Sequence, residues 1–278
     1  MSEAFPRTSA LPSQSPLFWV SHKDRYLRQL LIRDIQAHTG RSLIVYFADC
    51  NLATSQIDAN DDVYVAELLN SCPRGTPVDL VLETNGGGTD ATEKICALLR
   101  AAASDLRVIV PRRAKSNGTV IALCGQTIVM GVESELGPID PSINGVPVEF
   151  VLNAPAATFN AIDLQIAETA RKQTQKLATD LLSTGMLKTK TREEIVALVN
   201  QIATRDRYHS HGSVIDAREA ESLGLSVTVL PSEDLLWRMV ILLRALYQVD
   251  CPQFGYAKIF EGDKVSLVVS APRPAPNP

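Results

Sequence analysis

Two stretches decide how this chain folds. Val78-Asp79-Leu80-Val81-Leu82-Glu83-Thr84 runs into Asn85-Gly86-Gly87-Gly88-Thr89-Asp90. Leu106-Arg107-Val108-Ile109-Val110-Pro111 runs through Arg112-Arg113-Ala114-Lys115 into Ser116-Asn117-Gly118-Thr119 and the apolar run Val120-Ile121-Ala122-Leu123-Cys124-Gly125. Short runs rich in Val, Ile and Leu that end at Gly or Pro read as buried parallel strands, and the segment after each has helical character. The two turns therefore open at the carboxyl edge of one sheet, where open α/β proteins bind ligands.

The chemistry of the turns comes from their residue types. A polyglycine turn lets backbone N–H groups come close to a ligand, and a serine on a strand-to-helix turn is exposed near a helix N-terminus that favours negative charge. Together they supply a nucleophile and an oxyanion hole. The structural alternative is a tight βα turn at Gly86 to Gly88 and a helix cap at Ser116. Phosphate binding is disfavoured, because neither G-x-G-x-x-G nor G-x-x-x-x-G-K-[ST] is present.

With Ile128-Val129-Met130-Gly131 and Ser134-Glu135-Leu136-Gly137-Pro138-Ile139-Asp140-Pro141 behind the two turns, the chain resembles the serine dehydrogenase proteinase family. That family is related to signal peptide peptidase A and, more distantly, to the Clp protease proteolytic subunit and the crotonase fold. The likeness runs from about Arg28 to about Val229, and its specific element is Gly-Pro-Ile-Asp-Pro placed behind a Ser-x-Gly-Thr turn. It implies an α/β Clp protease/crotonase-like fold, a parallel sheet flanked by helices, and a serine peptidase with Ser116 as nucleophile. The oxyanion donors implied are the N–H groups of Gly87 and Asn117, with Gly86 as the alternative.

Around this centre the chain divides into an N-terminal arm over residues 1–24, one domain over 25–250, and a C-terminal hairpin with a loose tail over 251–278. The 278 residues, 45% of them apolar, suffice for a full core. A net charge of −4 gives no electrostatic reason to bind nucleic acid or acidic membranes. Arg112, Arg113 and Lys115 read as a solvated basic loop. Five scattered cysteines without C-x-x-C spacing argue against a disulfide framework or a zinc site and fit a reducing cytoplasm. No run has the length of a membrane span, and the first residues lack a signal-peptide pattern. No cofactor and no metal is expected.

Helices are expected over residues 24–38, 61–69, 156–182, 191–203 and 232–249. Thr191 and Glu194 form a capping box, and a hairpin crosses Glu261-Gly262-Asp263. The residue 156 helix and the apolar helix around Trp237 to Leu246 offer more apolar surface than one sheet covers, which points to a homo-oligomer; the resemblance implies a ring.

The general base stays open at this level. A serine hydroxyl needs a neighbouring His or a desolvated Lys to take its proton. Relatives of signal peptide peptidase place a lysine soon after the serine, but none occurs here between Ser116 and Lys172. Lys172 is one candidate; its alternative is a solvated helix face shared with Lys176. The other comes from the Clp likeness, with histidine and aspartate exchanged: Asp140 stands where that subunit has its histidine, and His211 where it has its aspartate. His211 is then the base and Asp140 its orienter. His209 is a lesser candidate, and His22 and His38 read as surface residues. Two other functions remain beside the peptidase cleaving peptides or unfolded protein: a crotonase-type enzyme holding a thioester enolate, and an assembly module without a productive base.

Overall fold

Strand β1 (Ser42–Ala48) shows why the sheet is double-sided. Leu43, Val45 and Phe47 enter one apolar cluster, while Ile44, Tyr46 and Ala48 enter the cluster on the opposite face. Such a strand has no polar alternation because neither face meets water. The computed structural model describes residues 15–155 and 158–272.

The remaining strands are β2 (Val78–Glu83), β3 (Leu106–Val110), β4 (Arg113–Ala114), β5 (Thr127–Met130), β6 (Glu135–Leu136), β7 (Ser142–Ile143), β8 (Val146–Pro147), β9 (Val227–Val229), β10 (Tyr256–Gly262) and β11 (Ser266–Ser270). Among the described residues, seven form one sheet in the order β11-β10-β1-β2-β3-β5-β9. The run from β1 to β9 is parallel, and β10 and β11 are antiparallel. Short pairs β4/β6 and β7/β8 lie beyond the main sheet.

The helices are α1 (Pro16–Ser21), α2 (Lys23–Thr39), α3 (Asp61–Ser71), α4 (Thr89–Ala102), α5 (Asn117–Leu123), α6 (Val148–Leu152), α7 (Ala161–Thr184), α8 (Arg192–Ala203), α9 (Ala217–Ser222) and α10 (Leu235–Phe254). Ile32 and Ile35 of α2, with Trp237, Val240, Leu243, Tyr247 and Cys251 of α10, cover one face of the sheet. Helices α3, α4, α5, α7 and α8 cover the other. Each fully buried aliphatic or aromatic side chain contributes about 1.5–3 kcal/mol, so this three-layer core dominates the fold's stability.

Local signals read from the sequence hold where short-range chemistry decides. Thr191 accepts from the Glu194 amide and Glu194 bonds back to the Thr191 amide, closing the expected capping box. Gly40, in the left-handed region at φ 69°, stops α2. Helix α7 begins at Ala161, capped by Asn160, rather than at residue 156; residues 156 and 157 lie outside the described residues.

The ends of the chain differ from expectation for tertiary reasons. Residues 16–21, expected within a loose arm, form α1, and Trp19 stacks on Tyr26 with centroids 4.0 Å apart. Residues 1–14 and 273–278 of the expected arm and tail lie outside the described residues. Residue 251 lies inside α10, and β10 pairs directly with β1, so the expected C-terminal hairpin is part of the main sheet. The apolar side of α10 is core, leaving Leu235, Leu242, Val249 and Phe254 exposed. Among the described residues no helix is long and apolar enough to cross a membrane.

Candidate active site

Ser116 lies where the chain turns from β4 into α5. Main-chain bonds from Thr84 N–H to Arg113 O (3.1 Å) and from Lys115 N–H to Thr84 O (3.0 Å) hold this segment beside the end of β2. The turn is sharp enough to force Ser116 to φ 53°, ψ −123°. A non-glycine residue in that region is strained, and strand-to-helix turns that present a nucleophile have this property.

The glycine turn fits against it with no room for side chains. A Cβ on Gly86 would come within 2.7 Å of Ser116 Cβ and of Lys115 O; one on Gly87 would sit 2.4 Å from the Ile57 nitrogen and oxygen. Ile57 brackets the turn through Ile57 N–H to Gly86 O and Gly88 N–H to Ile57 O, both 2.9 Å. Buried Asn117 completes the clamp: its Nδ2 donates to Gly87 O at 2.5 Å and to Thr89 Oγ1 at 3.1 Å. The three expected oxyanion donors then separate. The Gly86 amide donates to Thr84 Oγ1 at 3.1 Å, whereas the amides of Gly87 and Asn117 have no acceptor among the described residues. Two unengaged N–H groups flanking a serine are what a developing oxyanion requires.

Asp140 reaches this region through Thr119. The Thr119 hydroxyl lies 2.7 Å from Ala114 O and 2.8 Å from Gly137 O, and it accepts the Gly137 amide at 3.0 Å. Ile139 N–H then bonds Ile202 O at 2.7 Å, so Gly-Pro-Ile-Asp-Pro is pinned at both ends and Asp140 is buried, 2% exposed. Its Oδ1 meets His211 Nδ1 at 2.7 Å and its Oδ2 accepts from Arg205 Nε at 3.0 Å. With the Nδ1 proton directed at the carboxylate, the Nε2 lone pair is left free to accept a proton. The His211 side chain is 41% exposed, so its outer edge faces solvent.

The loop carrying His211 is tied at alternate residues. His209 O accepts from Arg205 (3.0 Å), Ser213 O accepts from Lys115 Nζ (3.0 Å), and Ile215 exchanges main-chain bonds with Leu136 at 2.9 and 3.0 Å. Lys115 is thus no solvated residue. Its side chain is 12% exposed, donates also to Leu136 O at 3.1 Å and lies 3.4 Å from Glu135. Burial lowers its pKa, against the neighbouring Glu135 carboxylate.

The other expected base is placed differently. The Lys172 side chain is 68% exposed and pairs with Glu168 at 2.9 Å along one helix face. Lys176 pairs likewise with Asp180. His209 Nδ1 is engaged by Arg205 O, and His22 Nδ1 by Phe18 O. Sequence reasoning missed Arg205 and Lys115, whose partners are remote in sequence. Thr119 did carry a signal, lying inside the Ser-x-Gly-Thr turn.

Residues 52–249 match the family described as ClpP-like SDH-type serine proteinase. An uncharacterized protein of Methanocaldococcus jannaschii is 32% identical over 207 residues, covering 72% of this chain and 68% of that protein. A second uncharacterized protein of the same organism is 28% identical over 156 residues, covering 54% of this chain and 53% of its own length. A solved ClpP1 variant from Listeria monocytogenes superposes with a TM-score of 0.48 at 15% identity, covering 76% of this chain and 99% of that one. The family match spans most of the sequence and includes Ser116, both glycine turns and the Gly-Pro-Ile-Asp-Pro segment: with its α/β fold, the chain belongs to the ClpP-like SDH-type serine proteinases.

Proposed function

We propose that this chain is a serine peptidase in which Ser116 is the nucleophile, His211 the general base and Asp140 its orienter. The observation that supports it is the 2.7 Å contact between Asp140 and His211, on a loop tied to Lys115, the residue preceding Ser116. Ser116 Oγ gives its proton to His211 Nε2 and attacks the scissile carbonyl carbon. The carbonyl electron pair moves onto oxygen, which receives hydrogen bonds from the Gly87 and Asn117 amides. Collapse expels the amine with the proton from His211 and leaves an acyl-serine. Water, deprotonated by the same imidazole, then releases the acid and restores Ser116. One oxyanion donor is worth about 2.7–4 kcal/mol in such a step.

Lys172 has no part in this reading. A lysine base needs desolvation to lose its proton, and an exposed ammonium paired with Glu168 has none. The substrates are extended peptides or unfolded segments, and the working form is a homo-oligomer whose walls keep folded proteins from Ser116. A reducing cytoplasm suits the five free cysteines. A fluorophosphonate probe tests the core of the reading: it should label the wild-type chain and not Ser116→Ala. Wild-type protein that stays unlabelled between pH 6 and 9 would refute it.

A further inference from the structure

We propose that Lys115 is a positioning residue that couples the nucleophile turn to the loop carrying the base. The inference deepens the peptidase reading and rests on it for its kinetic part. Lys115 directly precedes Ser116, yet its side chain runs away from the serine, over Gly137, to the far loop. A Cβ on Gly137 would lie 2.6 Å from Lys115 Cδ, so the stem is seated in a slot that only glycine leaves open. At the end of that slot the ammonium donates to Leu136 O at 3.1 Å and Ser213 O at 3.0 Å, with Glu135 at 3.4 Å.

The geometry separates two kinds of tether on the His211 loop. Arg205 and Asp140 fix the imidazole relative to the Gly-Pro-Ile-Asp-Pro segment, and the Ile215 ladder fixes the loop relative to β6. Both reach the chain that carries Ser116 only indirectly, through the pairing of β6 with β4 and the bonds of Thr119 to Gly137, and neither bonds the loop to it directly. Lys115 does, because its main-chain N–H is bonded to Thr84 O while its ammonium holds Ser213 O. Displacing a base by about 1 Å costs on the order of 100-fold in rate. A buried cation spanning nucleophile and base segments limits such displacement. Leu136 O keeps a second donor in Ile215 N–H, so Ser213 O is the group that depends on the lysine.

The test compares wild-type protein with Lys115→Met, which keeps the stem and removes the donors, and with Lys115→Arg, which keeps a cation. The probe is a fluorophosphonate, read as the limiting labelling rate and the half-saturating concentration. Lys115→Met should lower the limiting rate about 10- to 100-fold with little change in half-saturation. Lys115→Arg should restore much of it. Amide hydrogen exchange should rise over residues 209–215 in Lys115→Met and stay unchanged in α5.

A pH profile adds a signature that a merely structural lysine would not give. The charged groups facing the ammonium are Glu135 of β6 and Arg113 of β4. Burial lowers the lysine below its ordinary value of 10.5, so wild-type labelling should decline on the alkaline side before that pH, whereas Lys115→Arg should hold. The proposal is overturned if Lys115→Met labels at the wild-type rate, or labels a smaller fraction at an unchanged rate. Unchanged exchange over 209–215, or the same alkaline decline in Lys115→Arg, overturns it too. If the wild-type chain does not label at all, the peptidase reading fails, and the exchange experiment alone upholds or overturns the tether.

Discussion

At the level of single residues, the environments of His211 and Lys172 are what favours His211 as the proposed base. His211 is held by a buried carboxylate that is itself held by Arg205. Removing the imidazole should therefore cost about 10²- to 10⁴-fold in labelling and peptidase rate. Lys172→Ala removes an exposed ion pair that solvent screens and should leave the rate within a factor of two or so. Parallel kinetics of the two variants make the check; a dead Lys172→Ala beside an active His211→Ala would reverse the assignment. Ser116 and the Gly86-Gly87 pair were legible in the sequence because glycine and a turn serine answer to local backbone geometry. Lys115 was not: an Arg-Arg-Ala-Lys run looks like a solvated loop until its partners at Leu136 and Ser213 are brought beside it.

Among the elements, β10 illustrates how the far end of the chain supports the site. Lys258 on β10 is fully buried and donates to Asp61 Oδ1 (2.7 Å), Asp58 Oδ2 (2.6 Å) and Gln56 O (3.0 Å). Those contacts fix the segment around Ile57, which brackets the glycine turn. Lys258→Met should leave Asp61 buried without its cation and destabilise the protein by roughly 3–5 kcal/mol. For a chain of this size that corresponds to a fall in Tm of about 10 °C. Thermal unfolding of Lys258→Met, Asp61→Asn and the double variant checks it. The double variant should lose less than the sum, since each single change strands the other partner; additive losses would mean that the pair is not coupled. Burial raises the Asp61 pKa, with Lys258 and Tyr46 opposing, so ionised Asp61 depends on that cation.

Across the whole molecule, the sheet is covered on both faces, and this changes where the interface of the proposed oligomer would lie. The long apolar side of α10 is used inside the chain, so it offers no surplus surface. The exposed apolar side chains include Leu235, Leu242, Val249 and Phe254 on α10, Leu17 and Val20 on α1, and Phe150, Ile162 and Ile166 around α6 and α7. Exposed apolar side chains gathered on a few helices mark association surfaces. Size-exclusion chromatography with light scattering should return a multiple of the 30.2 kDa chain mass. A single monomeric species across micromolar concentrations would remove the oligomer from the proposed function.

The sequence by itself determined that β2 and β3 are buried parallel strands of one sheet, that α8 has a capped start, and that two turns carry Ser116 and the glycines. Each of these depends on residues a few positions apart: β-branched runs, Thr191 with Glu194, and the glycines beside their turns. It also marked Asp140 and His211 as partners through motif position alone. Only the tertiary structure joined them in a hydrogen bond, assigned the Gly86 amide to Thr84, left those of Gly87 and Asn117 open, and placed β10 beside β1. The physical reason is range. Backbone propensity and capping act within about one helical turn, whereas a hydrogen bond between residues 140 and 211 exists only after the core has brought β6, α8 and the intervening loop together.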